Sequence, residues 1–508
     1  MKHTSVAIIA TTLLSTSYSQ LALTAGHGSQ KVIGQTSALI AEAGLPTVIG
    51  AGSSASDLKD GESANTNFPF AKFKAIATVG EVDATSGLAL TGYPDGQAAW
   101  LADNNTVRVV YQSESYATMG RAPQPETYPW KMSNGVTFTG SHIHTIDYDR
   151  EKFATFMGNN ESAKSMVKGS GKLFHTVYNG FGEIVSTPSH DPSQLAGKWG
   201  NQTRPDGTLV QFKSEFKLSQ ANYFFQSFCG AWYEQANQYG EGMGFADDVW
   251  LTAEEWEIGR MFPAGSSDSA ATLGLASVVV DIANETAYTA PALGQTGYEK
   301  LMPINPGHKD YVVIVAAGYN HGQEPAPNRI YVGMKNRTAD GSRIDYATAS
   351  DRDAFLARNG LLYGKIYGLA LTPETYETLG LKIALDAKMV DDYMKNADAP
   401  NRFEGRFYPT SYQWAGFDQP VAVQDTEMML WEQKDEQPEG YVFFNGDTKT
   451  EHPAVDPSGA PRYFQNMTDE GGLMGFDLGD LGKALAAANG DLPTHLDVSV
   501  VRSVAAVD

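Results

Sequence analysis

Short strand-like runs, each closed off by turn residues, constrain this 508-residue chain more than any other feature. Phe73–Val79, Val107–Tyr111, Val278–Ile282, Tyr311–Val315, Arg329–Val332 and Tyr441–Phe444 are rich in β-branched and aromatic residues. Glycine, proline and asparagine separate them, and the chain holds 51 glycines. Such a series predicts an all-β sandwich, barrel or propeller. No strict repeat of about 40–50 residues is visible, so a propeller would have to be irregular. Helical spacing is confined to small insertions at 149–157, 162–167, 350–358 and 384–395. The tail from Leu478 starts as a short helix and ends in a strand.

The N-terminus reads as an export signal over residues 1–25. Lys2 and His3 precede an apolar stretch, 6–14, that is too short to span a bilayer. Residues 26–65, rich in glycine, alanine and serine, are expected to form a flexible lead-in, and 66–508 a single β-domain. No later stretch is long and apolar enough for a membrane helix, so a secreted or periplasmic location is expected. One cysteine leaves no internal disulfide, so stability is expected from the core, with bound ions as a further source. A net charge of −22 argues against a nucleic-acid partner and agrees equally with cation binding or a plain solvated acidic surface.

That cysteine, Cys229, stands in Ser227-Phe228-Cys229-Gly230, upstream of a strand, Val249–Ala253, that ends in Glu254-Glu255. A soft thiolate beside hard carboxylates suits a transition metal next to a harder cation. The alternative is a small buried hydrophobe, because free cysteines are among the most buried residues. Other acidic residues stand at strand ends: Glu114 after Arg108–Ser113, with Tyr93-Pro94-Asp95-Gly96 as a turn before it, Glu299 in Gly297–Lys300, and Glu427 in Gln424–Glu427. Each alone reads more readily as a solvated turn residue than as a ligand.

In order, these segments resemble a known family. Gly92-Tyr93-Pro94-Asp95-Gly96 followed by Arg108–Glu114 is similar to the PDG…NHE opening of the PhoX-type alkaline phosphatases. Ser227-Phe228-Cys229, then Val249–Glu255 with Gly259-Arg260, resembles their cysteine segment and LTGEE…GR. Tyr298-Glu299-Lys300 with Arg329–Lys335 resembles WEN…VYVYVGxK, and Asn359–Gly368 resembles the AGLxxGKLYGV that follows. The resemblance spans about residues 90–370. It implies an irregular β-propeller with small helical insertions, a phosphatase that hydrolyses small-molecule phosphate esters with iron and calcium. By the same resemblance Cys229 would be an iron ligand, Glu254 or Glu255 a bridging ligand, and Glu114, Glu299 and Glu427 further metal ligands. A monomer is expected.

The chain departs from the family at several of these points. Ser113 stands in place of a histidine and Lys300 in place of an asparagine. Tyr319-Asn320 replaces an expected acidic pair, and extra residues lie around 235–244. Metal stoichiometry and activity are therefore open. Phosphate monoester hydrolysis needs neutralised oxygens and an activated oxygen nucleophile, which clustered metals supply. Arg260, Lys300 or Lys335 could clamp the non-bridging oxygens, with Arg260 and Lys300 taken as the catalytic candidates.

His142-Ile143-His144 sets two imidazoles on one side of a strand, with Asp147 and Asp149 beyond, but offers no clear third ligand for a metal. His190-Asp191, His308-Lys309-Asp310 and Asp447 read as loop residues. There is no Gly-x-Ser-x-Gly elbow or Walker-type phosphate loop. Two other functions remain: a calcium-dependent propeller lactonase or esterase, which needs no thiolate, and a non-catalytic binding propeller.

Overall fold

The computed structural model describes residues 48–49, 72–73, 76–77, 90, 93–114, 130–135, 137–138, 141–159, 161, 163–178, 182, 184–185, 225, 228–255, 277–294, 297–318, 328–412, 414, 416, 436–446, 450–468 and 471–504. Arg260, Glu427, Tyr319-Asn320, His190-Asp191, Asp447 and the proposed signal segment lie outside them. The described residues are predominantly β, in agreement with the expected class.

In chain order, β1 (Val48–Ile49) and β2 (Lys72–Phe73) form a small pair. A four-stranded sheet follows, with the order β3 (Tyr93–Asp103), β4 (Thr106–Glu114), β7 (His142–Asp149), β8 (Val167–Lys172). Between β4 and β7 the hairpin of β5 (Trp130–Lys131) and β6 (Thr137–Phe138) stands apart. A second sheet runs β10 (Phe228–Glu234), β11 (Val249–Glu254), β12 (Ser277–Asp281), β13 (Thr286–Thr289), with β9 (Thr176–Tyr178) parallel at its edge.

The third sheet has ten strands. It begins with the antiparallel series β14 (Tyr298–Ile304), β15 (Tyr311–Gly318), β16 (Arg329–Met334), β17 (Gly364–Leu371) and β18 (Arg402–Pro409), and β19 (Val442–Phe443) pairs β17 from the side. The chain then lays down β20 (Thr450–Val455), β21 (Arg462–Met467), β22 (Gly472–Asp477) and β23 (Leu496–Val504), and β23 pairs β18. The far edge, β20, returns to lie against β14 and β15. Thr450 Oγ1 accepts from the Gly318 amide at 3.0 Å and donates to the Gly318 carbonyl at 3.2 Å, so the sheet nearly closes like a barrel. One continuous ten-stranded sheet is not the ring of separate four-stranded blades that a regular propeller would give.

Strand periodicity explains why this sheet is buried on both faces. In β15, Tyr311, Val313 and Val315 enter one hydrophobic core while Val312, Ile314 and Ala316 enter another. β16 repeats this with Ile330, Val332 and Met334 against Tyr331, and β17 with Tyr367, Leu369 and Leu371 against Ile366. Alternate side chains point to opposite faces, so a continuous apolar run is what a sheet covered on both sides requires. Each such side chain contributes about 1.5–3 kcal/mol through burial. β4 and β7 share a third core around Val107, Val109, Ile146 and Tyr148.

The helices are small, as the sequence predicts. α1 (Arg150–Thr155) starts at Asp149, whose side chain accepts from the Lys152 amide at 3.0 Å, and α2 (Asp351–Arg358) starts at Ser350 in the same way. Such caps satisfy amides that the first turn leaves without partners. α3 (Pro373–Thr378), α4 (Met389–Lys395) and α5 (Leu481–Ala487) pack their buried residues into the core on one face of the large sheet. No described helix is long and apolar enough to cross a membrane.

Candidate metal centre

Four strands meet at their starting ends: β10 lies against β3 and β14, and β14 lies against β20. Each opens an antiparallel hairpin, which sets the start of one strand beside the end of the next. Thus Tyr93 is level with Glu114, Phe228 with Glu254, Tyr298 with Gly318, and Thr450 with Met467. Cys229, Glu299 and Glu451 are the second residues of β10, β14 and β20, Asp95 is the third of β3, Glu114 ends β4, and Glu255 directly follows β11.

Every one of the four starting strands is irregular at this level. The register shifts across Asp95-Gly96 in β3, Cys229-Gly230 in β10, Glu299 in β14 and His452-Pro453 in β20. A bulge releases a residue from the strict two-sided alternation and re-aims its side chain. Two glycines let the bulged strands close up. A Cβ on Gly96 would stand 2.4 Å from the Ala231 Cβ, and one on Gly230 would stand 2.4 Å from the Glu299 carbonyl oxygen. Gln112, fully buried, ties the β10 bulge down: its amide donates to the Cys229 carbonyl at 2.8 Å and the Gly230 carbonyl at 3.1 Å. Its own oxygen accepts from Trp250 Nε1 at 2.8 Å.

The side chains so gathered form three overlapping triads whose ligand atoms lie within 4.8 Å of one another: Asp95–Cys229–Glu299, Glu114–Cys229–Glu255, and Glu255–Glu299–Glu451. Cys229, Glu255 and Glu299 each belong to two triads, so the three form a triangle with shared corners. Cys229 Sγ is 2.9 Å from Asp95 Oδ2 and 3.2 Å from Glu299 Oε1. Burial, then the negative charges of Glu255, Glu299, Glu114 and Asp95, push the thiol well above its ordinary range. Burial first, and then Glu255, Asp95 and Glu451, likewise push the Glu299 carboxyl well up, with the Cys229 contact opposing. Glu299 is only 1% exposed, yet its Oε2 has no hydrogen-bond partner among the described residues.

Five carboxylates and a thiol crowd together here, and the orphaned Glu299 oxygen, as an unpaired buried acceptor, costs about 1–3 kcal/mol unless something binds it. The donor set fits cations. Two triads offer sulfur with oxygen, as a transition metal prefers, and the third offers oxygen only, as calcium prefers.

Lys300 stands beside this group. Burial lowers its ammonium from the usual lysine range, while Glu299 and Asp95 hold it up. Its Nζ lies 5.3 Å over the Trp232 ring, and Trp232 Nε1 donates to Glu234 Oε2 at 2.7 Å. Burial raises the Glu234 carboxyl to about 7. A ring fixed at its nitrogen gives the lysine head a defined seat.

Of the residues singled out in sequence, Cys229, Glu114, Glu255 and Glu299 are brought together, with Lys300 alongside. Glu254 is fully buried at the end of β11 and belongs to none of the three triads. Lys335 donates to the Gly242 carbonyl at 2.9 Å instead. His142 and His144 are fully buried in β7, where His144 Nδ1 lies 3.3 Å from Lys172 Nζ, and neither joins a described triad. Asp147 pairs with Arg108, and Asp149 caps α1. Sequence reasoning missed Glu451 and took Asp95 as a turn residue. A glycine or proline inside a strand often marks a bulge, and each place has one, Gly96 after Asp95 and Pro453 two residues after Glu451.

No family model matches the chain, and no curated protein matches it. Among solved structures, Pseudomonas fluorescens PhoX in complex with vanadate, a transition-state analogue, aligns over 81% of this chain and 67% of its own, at 12% identity and a TM-score of 0.40. That overlap is too distant to show family membership. What can be said of the centre comes from its own side chains.

Proposed function

We propose that the chain is an exported, metal-dependent phosphoric ester hydrolase acting on small-molecule phosphate esters. The observation that carries this is the Cys229 thiol set between Asp95 and Glu299, with a buried Glu299 oxygen left without a partner. In this reading Cys229, Asp95, Glu114, Glu255 and Glu299 would hold iron. The oxygen-only triad of Glu255, Glu299 and Glu451 would hold calcium. The meanders that begin at β3, β10, β14 and β20 are then the blades of an irregular β-propeller, with the centre where their first strands converge.

Bound there, the cations would supply charge neutralisation at the phosphoryl oxygens and an activated oxygen nucleophile. The chain's own residues do the rest. Lys300, seated on Trp232, offers a positive charge at the flank of the acidic group, suited to a non-bridging phosphoryl oxygen. Arg260 is proposed as a second such group. Burial beside β10 and β14 keeps water from fully screening the lysine charge. Residues 1–25 are proposed as the export signal, the location as secreted or periplasmic, and the mature chain as a monomer.

The test is hydrolysis of a chromogenic phosphate monoester by purified protein, with and without chelator, alongside iron and calcium per chain. Turnover that chelator abolishes and added metal restores supports the reading; metal-free, inactive protein sinks it. A calcium-dependent lactonase or esterase is favoured by one feature, the oxygen-only triad. It has no use for the thiol, so a Cys229→Ala chain with full activity on a lactone would favour it.

A further inference from the structure

Glu234 ends β10, two residues after Trp232, so both side chains leave the same face of the strand. Its carboxyl is only 2% exposed, and Oε1 has no hydrogen-bond partner among the described residues. The other oxygen, Oε2, accepts from Trp232 Nε1 at 2.7 Å. The indole packs against both cores of the large sheet and carries the Lys300 ammonium 5.3 Å over its ring. The lysine stem starts at the β10 bulge, where its Cβ would lie 3.1 Å from a Cβ on Gly230. After burial, the charges acting on the Lys300 ammonium are those of Glu299 and Asp95, so Glu234 reaches the lysine through the ring and not by direct pairing.

We propose that Glu234 is a positioning residue for Lys300: by accepting from the indole it fixes the ring on which the lysine sits, and so sets where the ammonium meets a phosphoryl oxygen. This rests on the reading of Lys300 as a phosphate-binding group. A charged carboxylate accepts a hydrogen bond about twice as strongly as a neutral group. Burial raises the Glu234 carboxyl to about 7, with the Trp232 and Tyr239 contacts opposing. The titratable groups that interact with it are Tyr233 and Tyr239, both pushed above the usual tyrosine range, by burial first, and so neutral. On the neighbouring strands, Val249 of β11 is level with it and Lys300 of β14 lies across the indole. The seat is therefore firmer above pH 7, where Glu234 is charged, than below it.

The test uses the full metal-loaded chain, with a chromogenic phosphate monoester for kinetics and inorganic phosphate for calorimetric titration. Glu234→Leu removes the acceptor, whereas Glu234→Gln keeps an acceptor oxygen and removes the charge. Glu234→Leu should lower kcat/KM and phosphate affinity about 3–30-fold, the worth of one cation–π contact, with iron and calcium content unchanged. Glu234→Gln should match wild type at pH 5 and fall about twofold or more behind it at pH 8. In a Lys300→Met background neither substitution should change the kinetics further, because the two residues act as one unit. A Glu234→Leu loss that persists undiminished in that background overturns the proposal and marks Glu234 as a packing residue. So does a ratio of wild type to Glu234→Gln that is constant with pH. Wild-type kinetics in Lys300→Met itself, or a wild-type chain without turnover, overturns the reading of Lys300 and this inference with it.

Discussion

Replacing Glu299 by glutamine should stabilise the metal-free protein and destabilise the metal-loaded one. The ligand atoms of Glu255, Glu299 and Glu451 lie within 4.8 Å of one another, and at an effective dielectric of about 20 two unit charges at that distance repel by about 3.5 kcal/mol. Without a cation, the folded chain must keep a proton on the group or bear that repulsion. Burial and these neighbours raise the Glu299 carboxyl well above its ordinary 4.5. The folded state therefore binds a proton that the unfolded state has already released, and metal-free stability falls as pH rises above about 4.5. Glu299→Gln removes that charge, so it should raise the metal-free Tm more at pH 8 than at pH 5. Loaded protein should show the reverse sign. A ligand at a hundredfold excess over its Kd contributes about 2.7 kcal/mol, and the amide forfeits part of that by weakening the site. Thermal melts at pH 5 and pH 8, with chelator or with added Ca2+ and Fe2+, read both signs. A variant that lowers Tm equally in all four conditions would refute the reasoning, because it would mark Glu299 as a packing residue.

Gly230→Ala places a methyl group 2.4 Å from the Glu299 carbonyl oxygen, so β10 and β14 must part, at a cost of about 1–3 kcal/mol by urea titration and with weaker metal binding. Gln112→Leu takes the acceptor from the Trp250 indole and one donor from each of the Cys229 and Gly230 carbonyls, and should cost on the order of 1–3 kcal/mol by the same assay. Lys300→Met should leave metal content unchanged and lower kcat/KM for a phosphate monoester about 10–100-fold, the worth of one charge-assisted hydrogen bond; unchanged kinetics would remove Lys300 from the phosphate site.

Part of the centre was legible because Glu114, Glu255 and Glu299 sit where strand-like runs start or stop and Cys229 is the lone cysteine. Each glutamate alone reads more readily as a turn residue; it is the ordered resemblance of their segments to the PhoX-type phosphatases that marks them as ligands. Asp95 was hidden because Pro-Asp-Gly is also a turn signal, whereas here it forms a bulge inside the eleven-residue strand Tyr93–Asp103. Glu451 was hidden because Pro453 interrupts a run, Thr450–Val455, that would otherwise read as a strand; the bulge is what accommodates the proline. The distance-based choice of Glu427 relied on Tyr441–Phe444 as a full strand, and only Val442–Phe443 pairs, at the side of β17. Local pattern shows which strands exist and which faces they bury. It carries no information on which strand starts meet across sheets, and so β3, β10, β14 and β20 converge without any sign of it in the sequence. The continuous ten-stranded sheet, closed through β18 and β23, was unreadable for the same reason.

The central claim is that Cys229 is a metal ligand and not a buried hydrophobe. Elemental analysis of the purified wild-type chain beside Cys229→Ala tests it directly, since alanine keeps the small apolar volume and removes only the sulfur. The account predicts iron and calcium in the wild type, and in the variant loss of iron with calcium retained by the oxygen triad. Equal iron in both proteins, or none in the wild type, would contradict it.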